Sequence, residues 1–190
     1  NEPNNWDNGW TSVVCTKWFA LILQDIYLNT KYFNGHWGDS LWQVNLISGA
    51  LFTFDLNDGS SYLNEVYSFG KNTWAWDWTS TQTGSYPLDG IGQHLYCEQG
   101  SSDSVLVVNA ISANINGLWN VIIAWEGVTG KQIWISEFGW ESSAVTEQGQ
   151  ADNMKNAYSI LLNDSRIALA VYFTLSDWPG FYWGIYYPGS

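Results

Sequence analysis

Helical and extended segments alternate four times along this chain, and that order narrows the fold more than any single residue does. Thr11 to Asn29 places Val14, Trp18, Leu21, Ile22 and Ile26 on one helical stripe, closed by the polar, glycine-containing run Lys31 to Gly38. Gln43 to Phe54 reads as a buried strand through Val44 to Gly49 that opens into an aromatic loop at Phe52 and Phe54. Ser61 to Phe69 is a short helix, and a loop through Trp74, Trp76, Trp78 and Gly84 leads to a second strand, Leu88 to Tyr96. Ser104 to Trp125 is helical with Gly117 interrupting it, and Gln132 to Ser136 is a third strand. Thr146 to Leu162 offers Ala151, Met154, Ala157, Tyr158 and Leu161 as an inner stripe. Ile167 to Leu175 is nearly all apolar, as expected of a parallel strand covered on both faces. With no linker in view, residues 1–190 read as a single α/β domain, either a small open parallel sheet or part of an eight-stranded barrel.

Two carboxylates sit in apolar, aromatic frames at opposite ends of this pattern. In Asn1-Glu2-Pro3-Asn4 the proline disfavours helical geometry in the residue before it, so Glu2 belongs at a strand end or in the loop beyond. In Trp134-Ile135-Ser136-Glu137-Phe138-Gly139-Trp140 the strand gives way near Glu137, whose side chain projects where the loop begins. Two glutamates at the ends of strands of one sheet suit glycoside hydrolysis. His94 and Tyr96 end another strand of the same sheet, at the end where catalytic groups gather in barrels.

Charge narrows the partners. The chain has 6 Lys plus Arg against 18 Asp plus Glu, a formal net charge of -12, and such a field repels nucleic acid. Neutral ligands remain, and 14 Trp, 11 Tyr and 8 Phe provide flat apolar faces of the kind that stack on sugar rings. The run Trp74-Ala75-Trp76-Asp77-Trp78 alternates as an extended segment would, which places three indoles on one side as a glycan platform or as a lid on the core. Cys15 and Cys97 are far apart and not clustered with His36 or His94, so no metal spacing is visible, and both a disulfide and two free thiols are open. No cofactor and no membrane partner is expected, since no apolar run long enough to span a bilayer stands out. The opening residues read as processed or cut, and an acidic, Trp-rich chain with the triplet Asn163-Asp164-Ser165 leans towards an extracellular protein.

On these motifs the chain resembles the catalytic domains of the large clan of retaining glycoside hydrolases built on eight-fold barrels, which includes the family 5 cellulases and family 39 xylosidases. In that clan Asn-Glu-Pro ends the fourth strand and Ser-Glu-Phe-Gly the seventh. The resemblance therefore implies Glu2 as general acid/base with Asn1 on the sugar 2-hydroxyl, and Glu137 as nucleophile. It implies His94-Leu95-Tyr96 at the end of the sixth strand, with His94 positioning the sugar and Tyr96 orienting the nucleophile. The closing run through Tyr172, Phe173 and Asp177 is similar to the eighth strand and its loop, with Trp140, Trp178 and Trp183 as candidate sugar-binding residues. The implied fold is a TIM-type (β/α) barrel of which this chain carries the C-terminal half, strands 5 to 8 with the end of strand 4.

Several expectations follow from that resemblance. The substrate is a β-linked oligo- or polysaccharide, a β-glucan, cellulose or xylan, cleaved with retention. Carboxyl groups that close disfavour double ionisation, so one attacks while the other carries the proton. The alternative is a noncatalytic carbohydrate-binding or structural half-barrel. An open half leaves apolar edges and an uncovered inner face, to be covered by a missing N-terminal half, a second copy or a higher assembly, and self-association as a two-fold pair or a larger array is expected if these residues are the entire polypeptide.

Overall fold

The computed structural model describes residues 2–5, 14–33, 45–54, 59–127 and 130–186. Four parallel strands, β1 (Leu51–Phe54), β2 (Gly90–Tyr96), β3 (Gln132–Phe138) and β4 (Ile167–Tyr172), form one sheet in the order β1-β2-β3-β4. Between and before them run α1 (Thr16–Tyr27), a π-helical turn (Leu28–Phe33), α2 (Ser60–Thr73), α3 (Trp76–Thr83), α4 (Ser104–Glu126), α5 (Ser142–Val145) and α6 (Glu147–Leu161). Sequential parallel order requires every crossover to run the same way, and right-handed crossovers then stack their helices on one face. The packing agrees, with α1 on α2, α2 on α4 and α4 on α6.

The core lies between that helical layer and the sheet. Ile91 and Leu95 of β2 and Ile133, Ile135 and Phe138 of β3 meet Val66, Ile111, Ile115, Leu118, Ala157 and Leu161 from the helices, all essentially without solvent exposure. Helix α4 is capped by Asp103, whose carboxylate accepts from the Val105 and Leu106 amides. Thr146 caps α6 through a bond from the Gly149 amide.

Several elements depart from the sequence expectations. The first strand lies at Leu51–Phe54 rather than Val44 to Gly49. The earlier segment does run beside β2, with Ile47 bridged to Gly90. There, however, the Ser48 hydroxyl rather than a backbone carbonyl accepts the Gly92 amide, and the ladder breaks. The Trp74 to Trp78 stretch is not extended: α3 starts at Trp76, and the three indoles part company. Trp76 is buried against Gly70, whose missing side chain leaves the indole its space. Trp74 is half-buried with its N–H on the Lys17 carbonyl (2.7 Å), while Trp78 is exposed.

Helix α1 has the expected period but the opposite phase. Ala20, Leu23 and Tyr27 are buried, while Trp18, Ile22 and Ile26 are 54%, 49% and 48% exposed. In α6 the buried face is Gly149, Gln150, Asn153, Ala157 and Leu161, so Ala151 is outside. Strand β4 is not covered on both faces, because Leu169 and Val171 are exposed. Gly117 does not interrupt α4, which runs unbroken. By length and composition α4 is also apolar enough to cross a membrane, which scattered asparagines hide from a search for an unbroken apolar run. Its stripe Val107, Ile111, Ile115, Leu118 and Ile122 belongs to the core. Cys15 is exposed and Cys97 is buried.

Candidate active site

At the C-terminal ends of β2 and β3, on the sheet face away from the helices, Glu2, His94 and Glu137 converge. One oxygen of each carboxylate and a ring nitrogen of His94 all lie within 4.8 Å of one another. Each residue reaches this place by a different local device.

Glu137 gets there through a bulge. Strict alternation along β3 would put it on the same side as Ile133 and Ile135, inside the helix-packed core. Gln93 pairs with Ile135 and His94 with Glu137, so one step on β2 spans two on β3 and Ser136 is the extra residue. Phe138 returns to the core, with its ring edge-on to Tyr158 of α6 at 5.1 Å, and the Glu137 carboxylate turns to the open face with its side chain 30% exposed. There Tyr96 donates to Glu137 Oε2 at 2.8 Å. Burial, then the hydrogen bond and charge of Glu137, hold the Tyr96 phenol well above its ordinary range, so it remains a donor.

Glu2 is held from several sides. Its backbone takes a positive φ of 50°, a strained geometry for a residue with a side chain, and such strain concentrates at functional sites. The segment is tied along β1 by Asn4, whose amide donates to the Phe52 carbonyl (2.9 Å) while its oxygen accepts the Phe52 N–H (2.7 Å). The Val14 amide bonds the Pro3 carbonyl at 2.9 Å. The Glu2 side chain is 5% exposed: Oε1 lies 2.5 Å from His94 Nδ1, and Oε2 accepts from the Asn5 amide at 2.9 Å. His94 Nδ1 is also 3.5 Å from Glu137 Oε2, which places the imidazole between the two carboxylates.

A metal ion fits this trio poorly. Two ligands of one zinc ion, each about 2.0–2.1 Å from the metal in tetrahedral geometry, sit more than 3 Å apart. The Glu2–His94 contact is shorter than that and has the geometry of a shared proton.

An aromatic wall extends from Tyr96. Phe52 (6.0 Å), Phe173 (6.3 Å) and Trp183 (5.4 Å, perpendicular) surround its ring. Farther along, the half-exposed Trp178 stacks flat on Phe181 at 3.8 Å. Of the residues singled out from the sequence, Glu2, Glu137, His94, Tyr96 and Trp183 come together here, and Trp178 sits at the end of the wall. Trp140 does not join them. Its indole has no exposure, donates to the Cys97 carbonyl at 3.0 Å and packs on Phe138, so it is a core residue with no face for a sugar. Asn1 and His36 lie outside the described residues. Sequence reasoning missed Asn5, Phe181 and the Ser136 bulge. Only Asn5 left a signal, an amide three residues past Glu2 across a turn.

The chain matches no protein family model and no curated protein. Among solved structures it is similar to a beta-glucuronidase of an uncultured Clostridium sp., at 10% identity and a TM-score of 0.44, with 96% of this chain aligned to 35% of that one. The chain thus spans about a third of that protein's length. At that score the likeness adds nothing to the case, which rests on the site.

Proposed function

We propose that this chain is the C-terminal half of a TIM-type barrel and carries the catalytic pair of a retaining glycoside hydrolase acting on β-linked glucan or xylan. The observation that carries the reading is the approach of the Glu2 and Glu137 carboxylates to within 4.8 Å. Retaining enzymes hold the two groups about 5–5.5 Å apart and inverting ones about 6.5–9.5 Å, so the spacing leaves no room for the water that inversion needs. Glu137, the more exposed of the two and steadied by Tyr96, attacks the anomeric carbon as Glu2 protonates the departing oxygen. Water then enters, Glu2 takes its proton, and the ester to Glu137 is cleaved with the original configuration restored. His94 steadies Glu2, while Trp183 and Trp178 offer apolar surface to sugar rings. The bonds that fix the Glu2 segment to β1 support this role, since such chemistry needs a firmly held acid.

A second reading has its own support. The acid is more deeply buried than the nucleophile, as suits a noncatalytic carbohydrate-binding derivative that keeps the cleft. Exposed Leu169 and Val171 on the open sheet face favour an assembly that covers it, a second copy or the remaining half of a barrel, and light scattering at low micromolar concentration checks for the copy. An extracellular setting is part of the same proposal.

Reducing-sugar release from a panel of β-glucans and xylans, compared between the wild type and Glu137→Gln, tests the enzymatic reading. Release abolished by the substitution, with an anomer of retained configuration as first product by NMR, is the expected result. No release, with glucan binding unchanged in the variant, favours the binding derivative instead.

A further inference from the structure

We infer that Asn5 is a positioning residue that decides where the proton shared by Glu2 and His94 rests, a role that builds on the acid/base assignment of Glu2. The Asn5 side-chain N–H can only donate, so its bond to Glu2 Oε2 at 2.9 Å favours the carboxylate. On the other oxygen, Oε1 faces His94 Nδ1 at 2.5 Å, a contact that must hold one proton whichever partner owns it. A donor on Oε2 stabilises the arrangement in which that proton sits on the imidazole and Glu2 is charged.

The surroundings give this choice weight. Glu2, Asn5 and His94 are all at least nine-tenths buried, so water is a poor substitute for the amide. Among the described residues, the titratable groups facing the pair are Glu137, 3.5 Å from His94 Nδ1, and Tyr96, which donates to Glu137. The Glu137 charge also favours the imidazolium, so Asn5 and Glu137 pull the proton the same way from opposite ends of the pair. Asn5 holds Glu2 by the oxygen that His94 leaves open. Its effect reaches the reaction only through how readily Glu2 holds a proton to give away.

The test needs no catalysis. The chain has two histidines, His36 and His94, so a His36→Gln background gives a single imidazole to follow by ¹³Cε1 and ¹⁵N shifts against pH. In Asn5→Ala, loss of a bond to a charged acceptor is expected to lower the ratio of imidazolium to neutral His94 by about tenfold or more at neutral pH. In Asn5→Asp the near-isosteric side chain keeps the packing but removes the donor and sets a like charge against Glu2 Oε2, so the ratio of imidazolium to neutral His94 should fall at least as far as in Asn5→Ala. A fall in both variants distinguishes control of the proton from mere packing, which would move the alanine variant and spare the near-isosteric one. Near-UV circular dichroism confirms that each is folded, and Asn5→Ser replaces the alanine variant if that one is not. Titrations of His94 that superimpose across parent and variants would overturn the inference. The same falls in a protein that cleaves no glycan would leave it standing and remove the hydrolase reading alone.

Discussion

The two ends of the sheet bury ionisable groups in opposite ways. At the end where β2 and β3 begin, each carboxylate has a lysine: Lys131 reaches Glu126 at 2.5 Å, with both side chains under 5% exposed, and Lys31 reaches Asp89 at 3.0 Å. Tyr67 also donates to Glu126, and the Asp89 carboxylate takes the Leu46 amide at 2.8 Å. At the other end two carboxylates face each other with a histidine and a phenol between them and, among the described residues, no lysine or arginine ion-paired to either. In barrels the strand-start end serves stability and the strand-finish end serves chemistry. Matched charges hold structure, whereas like charges forced together store a proton that can be moved.

The largest expected effect separates the ends by activity. Glu137→Gln should reduce glycan hydrolysis by on the order of 10⁴-fold or more, read by initial rates, while the urea midpoint stays put or rises because a like charge has gone. A variant that lost its stability along with its activity would erase the contrast. Next in size is Lys131→Met, which strands Glu126 as a buried charge and should cost about 3–5 kcal/mol in urea unfolding. A cost near zero would mean that the base is no more a structural lock than the top.

A smaller change is expected on the alkaline side. Burial raises the phenols of Tyr27, Tyr62, Tyr67 and Tyr96, and that of Tyr172 to about 12, so between pH 10 and about 12 the unfolded chain releases protons that the fold retains. Stability should be intact below pH 10 and decline through that window, as followed by urea midpoints at successive pH values. The mildest effect belongs to Trp178→Ala, which should weaken oligosaccharide binding by only a few-fold, about 1 kcal/mol by calorimetry, without altering the fold.

How much of this was legible in the sequence depends on which physical rule carried the signal. The alternation of elements and the acidic pair were readable because hydrophobic period and turn chemistry act locally. Phase was not. The stripe Trp18, Ile22, Ile26 has the periodicity of a buried face, yet the smaller set Ala20, Leu23 and Tyr27 is what packs, since α2 decides which side of α1 is covered. Trp140 shared a motif with the nucleophile but points into the core, two residues past Phe138, where the strand has already turned inward. The grip of Asn5 on Glu2 depends on a turn whose backbone geometry is unusual for glutamate, which composition does not announce.

The extra residue in β3 makes the site sensitive to parity. Removing Ser136 would leave Ile135 and Glu137 alternating across the sheet with the carboxylate still on the open face, whereas a residue inserted beside Ser136 would exchange inside for outside at Glu137, driving it among Ile133, Ile135 and their helical neighbours. Residues on either side tolerate exchange of one side chain for another far better than they tolerate an added residue. An inserted codon there would do what no single replacement of Ser136 could, and deleting Ser136 alongside it would restore the arrangement.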